Sequence, residues 1–173
     1  MEQESSTKTI NLTNKKNTGL SNEKLVRKAT NKWKFENKNI DFMENLYTLQ
    51  NKDEHNDVQE EIRRQIHYKI NSYKGQDIKK KLLLESDFVD YDYVLNLLIE
   101  KNLKCFYCRE DVLLLYNYVR ENKQWTLERI DNKIGHNRGN VEIACLLCNL
   151  RRRTMYHERY VFTKQLCVVK MDE

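Results

Sequence analysis

The sequence predicts an α+β protein in which a helical N-terminal region precedes a small unit of strands and one helix. Apolar side chains recur at helical spacing in the first hundred residues, whereas strand-like segments, a loop with two glycines and paired cysteines come later. The predicted parts are a flexible tail, a helical region, a compact unit and a C-terminal extension, over 1–20, 21–100, 101–156 and 157–173.

Composition and charge restrict the class of protein. The 173 residues include 31 Lys and Arg against 26 Asp and Glu, and the formal net charge of +5 permits a nucleic-acid partner without requiring one. No apolar run reaches the roughly 18 residues that a membrane span needs, and the first residues lack the apolar stretch of a secretory signal. Five cysteines are too few, and odd in number, for a secreted disulfide framework. We therefore expect a protein of a reducing intracellular compartment, the cytoplasm or nucleus, with no membrane partner.

The N-terminal region is predicted to be a tail followed by helices. Residues 1–20 contain almost no large apolar side chains, so burial cannot offset the entropy cost of ordering them. The clearest helical stripe has a period of four residues and consists of Val58, Ile62, Ile66 and Ile70, continued by Tyr73. Gly75 is a plausible end of that helix, and Asp90 a plausible N-cap for another. Such stripes are typical of a core, so this region is predicted to be a helical layer without an assigned function.

Strand, strand, loop and helix are the elements predicted after residue 100, in that order. The segment 112–119 is rich in branched and aromatic side chains, and 124–130 is expected to return beside it. A loop follows over 131–140, and 144–154 is predicted to be a helix. A last strand is expected over 162–169, in the C-terminal extension.

Four of the five cysteines form two Cys-x-x-Cys pairs, Cys105 with Cys108 and Cys145 with Cys148. Each pair places two thiolates on one tight turn, and two such turns can meet in a tetrahedral zinc site with four sulfur ligands. Because four thiolates leave no open position, we expect a structural Zn²⁺ that stabilises a unit with little core of its own. Cys167 is expected to be a small buried apolar residue.

Four segments in a fixed order lie within residues 103–154. They are Cys105-x-x-Cys108, Trp125-Thr126-Leu127-Glu128-Arg129-Ile130-Asp131-Asn132, Gly135-His136-Asn137-Arg138-Gly139-Asn140-Val141 and Cys145-x-x-Cys148-Asn149. Together they resemble the HNH endonucleases, and they are most similar to the zinc-containing branch that ends in Cys-x-x-Cys-Asn, to which phage endonuclease VII belongs. The resemblance implies a ββα-metal fold, in which a hairpin and a helix hold one divalent cation, usually Mg²⁺, for the hydrolysis of DNA phosphodiester bonds.

The resemblance also implies roles for the matched positions. Glu128 falls on the acidic ligand of the catalytic cation and Asn149 on the helix ligand, and both side chains offer hard oxygen donors. Asn140 falls on the mid-loop asparagine that holds the shape of the loop. Arg129 stands where the family pattern has its general-base histidine, although arginine cannot accept a proton from water.

Three interpretations of Arg129 stay open. In the first, His136 is the general base, because a neutral imidazole has a suitable pKa of about 6.5. In the second, Asp131 is the base or a metal ligand, and Arg129 stabilises the phosphate charge in the transition state. In the third, the site is inactive and the fold only binds nucleic acid.

Arginines near the predicted metal site are candidates for contact with a phosphate backbone. They are Arg138 in the loop and Arg151, Arg152 and Arg153 after Asn149. The sequence as a whole therefore predicts a metal-dependent endonuclease acting on DNA, and the alternative is an inactive zinc-stabilised nucleic-acid-binding module.

Overall fold

The computed structural model describes residues 24–30, 33–36, 40–51 and 56–166. The predicted tail over 1–20 and Cys167 lie outside these ranges. The described elements are α1 Phe42–Asn51, α2 Asp57–Lys80, α3 Tyr91–Glu100, β1 Trp125–Arg129, β2 Val141–Cys145, α4 Leu146–Arg152 and α5 His157–Gln165. The mixed α+β class is thus confirmed. In the described ranges, no helix combines the length and the apolar character that crossing a membrane requires.

Helix α2 is the longest element of the helical region. Asn56 starts it in a capping box, because its side chain accepts hydrogen bonds from backbone N–H groups of the first turn while the side-chain oxygen of Gln59 accepts the backbone N–H of Asn56. The prediction that Gly75 ends this helix is wrong, since the helix continues to Lys80 and ends at the left-handed Lys81, with φ 57°. A glycine inside a helix costs only about 1 kcal/mol, which the burial of side chains on both sides of Gly75 outweighs.

The helical region and the strands share one hydrophobic core. Ile62 and Ile66 of the predicted stripe are fully buried. They belong to the same cluster of buried side chains as Trp125, Leu127 and Ile143 of the sheet. Helix α2 therefore packs against the unit that contains the predicted site.

The sheet consists of two antiparallel strands joined by the glycine-containing loop. Trp125 of β1 lies opposite Cys145 of β2, and Arg129 lies opposite Val141. Helix α4 follows β2 directly, within the range predicted for a helix. The observed order is strand, loop, strand, helix.

The prediction of a strand over 112–119 is wrong. This segment makes isolated bridges only, such as that of Leu113 with Gln124. Leu114, Leu115 and Tyr116 are consecutive and all buried, so the segment lacks the alternation of exposed and buried side chains typical of a strand. Its apolar side chains fill the core, and its backbone does not pair in the sheet.

The C-terminal extension begins with a helix, so the strand expected from residue 162 onward is wrong where the structure describes it. Helix α5 places Tyr160 in the core, where its ring packs edge-on against that of Tyr107 at 4.8 Å between centroids. Val161 also packs against the core. This tertiary contact favours the helix, and the valine pair that suggested a strand, Val168 and Val169, lies outside the described residues.

Candidate functional site

The two Cys-x-x-Cys pairs meet beside the sheet. The four sulfur atoms, of Cys105, Cys108, Cys145 and Cys148, all lie within 4.8 Å of one another. The first pair lies on a turn that closes with a hydrogen bond from the Arg109 N–H to the Cys105 carbonyl, and Phe106 donates its N–H to Ile143 in β2. Four thiolates at these distances could hold a zinc ion, since the donor set suits tetrahedral coordination.

Cys145 connects this cluster to two elements at once. It is the last residue of β2 and the N-cap of α4, where its sulfur accepts a hydrogen bond from the Cys148 N–H at 3.4 Å. Cys148 therefore lies in the first turn of α4, one position before Asn149. A metal ion at the cluster would hold the first turn of α4 against the loop of Cys105 and Cys108.

A separate cavity of about 430 Å³ lies between α2, β1 and α4. Five residues predicted from the sequence line it, namely Glu128, Arg129, His136, Asn149 and Arg153. Helix α2 supplies a further part of the wall through Tyr73, Gln76 and Lys80. The fold thus brings together side chains from three regions that are distant in the sequence.

Glu128 lies at this cavity with one oxygen engaged by Arg152. The two residues are 6% and 2% exposed, and Nη1 of Arg152 donates to Oε1 of Glu128. The guanidinium also donates to the carbonyl groups of Arg129 and Ile130, at 2.8 and 2.6 Å. Burial raises the pKa of Glu128, although its hydrogen bond with Arg152 acts in the opposite direction. Arg152 is therefore an interior residue whose charge is paired within the protein, which argues against its predicted contact with phosphate.

Asn149 is oriented by β1. Its Nδ2 donates to Oγ1 of Thr126 at 3.2 Å, and Thr126 in turn donates to the Ala144 carbonyl at 2.8 Å. This bond directs the amide nitrogen of Asn149 toward the strand. The amide oxygen is consequently the donor atom that remains for a ligand in the cavity.

His136 is held against α2 by Asp77. Its Nδ1 lies 2.9 Å from Oδ1 of Asp77, and its backbone N–H donates to Oδ2 at 2.6 Å. The ring of Tyr73 covers the imidazole at 4.4 Å between centroids, and the Tyr73 hydroxyl accepts the N–H of Leu127 in β1. Burial lowers the pKa of His136 from its ordinary value, against the effect of the Asp77 carboxylate. This direction of the pKa shift favours the neutral form of the imidazole.

Gly135 allows this close approach of loop and helix. A Cβ atom at this position would lie 2.5 Å from the Leu82 carbonyl oxygen and 2.8 Å from Oδ2 of Asp77. Since real Cβ atoms do not approach other atoms so closely, only glycine fits here without displacing the loop.

Asn140 and Asp131 shape the loop from within. The amide of Asn140 donates to the carbonyl groups of Asp131 and Gly135, at 3.1 and 2.9 Å, and accepts the Asp131 N–H at 2.9 Å. The Asp131 carboxylate accepts the N–H of Lys133, as in an ordinary Asx turn. Asp131 borders a different cavity, so the structure does not bring it together with Glu128 and His136.

Three cationic side chains line the cavity between α2, β1 and α4. Arg129 donates to the carbonyl groups of Asn132 and Ile134, at 3.2 and 3.1 Å, which holds its guanidinium along the loop. Lys80 from the end of α2 and Arg153 from the end of α4 are the other two. An anion in this cavity would therefore be near positive charges from β1, α2 and the end of α4.

Two of the other predicted arginines lie away from the cavity walls. Arg138 pairs with Asp90, the N-cap of α3, and about half of its side chain is exposed. Arg151 is exposed on α4. Of the four arginines predicted to contact phosphate, only Arg153 lines the cavity.

The contribution of α2 to the site was not predicted from the sequence. Asp77 lies four residues beyond Tyr73, so it continues the apolar stripe and places a carboxylate on the buried face of the helix. An acidic residue on a buried face requires a partner, and this was the signal available in the sequence.

Comparisons with protein-family models, curated proteins and solved structures give no match to this chain.

Proposed function

We propose that this protein is a metal-dependent endonuclease of the HNH type that hydrolyses phosphodiester bonds of DNA at the cavity between α2, β1 and α4. The observation that carries the proposal is the convergence of Glu128, His136 and Asn149 on one cavity. The cavity supplies oxygen donors for a cation, a neutral imidazole and positive charge for a phosphate. These are the components of metal-assisted hydrolysis.

The cysteine cluster is proposed to bind a structural Zn²⁺. The four sulfur atoms offer a complete tetrahedral set, which leaves no position for a substrate or a reactive water. Its contribution would be to fix the start of α4, and with it Asn149.

A catalytic cation, Mg²⁺ or another divalent ion, would be held by Glu128 and Asn149. Among the described residues, Oε2 of Glu128 and the side-chain oxygen of Asn149 accept no hydrogen bond, and hard oxygen donors of this kind suit Mg²⁺. When bound, the cation would stabilise the negative charge of the phosphate oxygens.

His136 is the proposed general base of this site, in place of the histidine that Arg129 replaces. A neutral imidazole can accept the proton of an attacking water, whereas a guanidinium cannot. Arg129, Lys80 and Arg153 are proposed to hold the phosphate, since their charges line the same cavity.

Cleavage of DNA by the purified full-length chain tests this function. We expect nicking of supercoiled plasmid in the presence of Mg²⁺, Mn²⁺ or Ni²⁺, and its loss when divalent ions are chelated. Absence of cleavage with all three ions, on duplex, branched and single-stranded DNA, would exclude the proposal.

A nucleic-acid-binding module without catalysis is the second candidate. Arg129 at the position of the base and the engagement of Glu128 by Arg152 favour it. It predicts salt-sensitive DNA binding that persists in Glu128→Gln, together with no cleavage by the wild type. Cleavage that is lost in Glu128→Gln, with the variant folded, would favour the enzyme.

A further inference from the structure

Both carboxylate oxygens of Asp77 contact the same residue, His136. Oδ2 accepts a hydrogen bond from the backbone N–H of His136 at 2.6 Å, and Oδ1 lies 2.9 Å from Nδ1 of the same residue, across 59 positions of sequence. Asp77 is fully buried, with 0% of its surface exposed. A buried carboxylate is tolerated only when it is hydrogen-bonded, so this pair of contacts determines where the loop docks on α2.

The contact with the ring also determines which nitrogen carries the hydrogen. A carboxylate oxygen accepts hydrogen bonds, and beside such an acceptor a neutral imidazole carries its hydrogen on the nearer nitrogen, which here is Nδ1 of His136. Nε2 then bears the lone pair. In the part of the chain that the structure describes, Nε2 makes no hydrogen bond, and His136 forms part of the cavity wall.

The orientation of the ring is constrained on further sides. Tyr73 packs over the imidazole, and Gly135 has no side chain that would separate the loop from Asp77. Together these contacts leave the imidazole little freedom to rotate.

We infer that Asp77 is the positioning residue for His136, because it holds the imidazole in the tautomer and orientation in which Nε2 accepts a proton from the cavity. The tautomer is inferred from the contact between Nδ1 and the Asp77 carboxylate, whereas its catalytic consequence rests on the proposed nuclease function. Helix α2, outside the region of the HNH resemblance, thereby becomes part of the site. A role limited to docking the loop would need the backbone contact but not the ring contact.

The tautomer can be measured without any assay of activity. In the full-length chain labelled with ¹⁵N-histidine, long-range ¹H–¹⁵N correlation spectra at pH 7.5 should show His136 protonated at Nδ1 and unprotonated at Nε2. Asp77→Asn replaces one acceptor oxygen by a donor, and it should shift the population toward the Nε2-protonated form. Asp87→Asn, the same change at an exposed side chain nearby, should leave the spectrum of His136 unchanged.

Either of two spectral results would overturn the inference. One is a wild-type His136 protonated at Nε2, a measurement that does not depend on the folding of any variant. The other is a folded Asp77→Asn variant whose His136 keeps the wild-type tautomer.

The catalytic consequence is tested by kinetics in two backgrounds. Asp77→Asn should lower kcat for DNA cleavage by on the order of 100-fold while KM changes little. In the His136→Ala background the same change should have no further effect on kcat, because the two residues act as one unit. Equal losses in both backgrounds would contradict the inference. A wild type that cleaves no DNA would instead refute the proposed function and leave the spectral test valid.

Discussion

Arg152 of α4 lies in the interior of the protein with its guanidinium on the carboxylate of Glu128. The ion pair connects the last turn of α4 to β1, and the carbonyl groups of Arg129 and Ile130 each accept one further hydrogen bond from the guanidinium. Buried charges of this kind stabilise a fold only while both partners are present. The pair thus fixes the separation of β1 and α4, the two elements that carry Glu128 and Asn149.

Removal of Arg152 should therefore be costly. We expect Arg152→Met to lower the free energy of unfolding by about 3–5 kcal/mol, because it leaves the Glu128 carboxylate buried without its partner. Arg151→Met, an exposed neighbour on the same helix, should change it by no more than about 0.5 kcal/mol. Urea denaturation at pH 7 measures both. Equal effects of the two substitutions would show that the ion pair is not formed.

Substitution by alanine should change the free energy of unfolding in opposite directions at Gly135, which packs against the end of α2, and at Gly75, within α2. Gly135→Ala should lower the free energy of unfolding by about 1–3 kcal/mol, because its Cβ would overlap Leu82 and Asp77. Gly75→Ala should raise it by about 0.5–1 kcal/mol, because Gly75 lies inside the helix and a Cβ would meet nothing within 4 Å. Thermal denaturation of both variants compares them directly, and a neutral Gly135→Ala would argue against the described docking of the loop.

Acid should destabilise the fold partly through His136. Burial, with smaller contributions from Arg129 and Lys80, lowers the pKa of His136, and Asp77 opposes this without reversing it. Below about pH 6.5, the ordinary pKa of histidine, the unfolded chain therefore binds more protons than the folded chain does. The contribution of His136 to the free energy of unfolding is complete above this pH and is lost as the pH falls through the lower pKa of the folded state.

The measurement for this pH dependence is the free energy of unfolding at pH 7.5 and pH 5. The loss between these values should be smaller in His136→Asn than in the wild type, whereas the exposed His67→Asn should behave as the wild type does. An identical loss in all three proteins would be inconsistent with a buried neutral His136.

Metal analysis tests the cysteine cluster. We expect about one equivalent of zinc in freshly purified protein, and a lower melting temperature after its removal by a chelator, since binding free energy at such sites contributes to folding. Cys148→Ser should lose the metal, whereas Cys167→Ser should retain it. Zinc well below one equivalent in the wild type would refute a zinc site.

The parts of the structure that short-range patterns specify could be predicted from the sequence. The four-residue stripe of α2 and the spacing within each Cys-x-x-Cys pair are local, and the structure contains the helix and brings the four sulfur atoms together. The glycine-containing loop was recognisable for the same reason.

The remaining features depend on contacts between distant residues. The conformations of the segment 112–119 and of helix α5 depend on the residues that they pack against. Tyr160, for example, packs beside Tyr107 when its segment is helical. The burial of Arg152 depends on the position of Glu128, and the role of α2 depends on a loop 59 positions beyond Asp77. No local pattern contains that information, although the acidic residue on the buried stripe of α2 indicated that a partner was needed.

The rate of plasmid nicking by wild type and His136→Ala, at pH 7.5 with Mg²⁺, tests the central claim most directly. We predict nicking by the wild type, a loss of roughly 10²–10⁴-fold in His136→Ala, and near wild-type rates in His67→Ala and Asp131→Ala. Cleavage by His136→Ala at the wild-type rate, or its loss in Asp131→Ala instead, would contradict the assignment of His136 as the base.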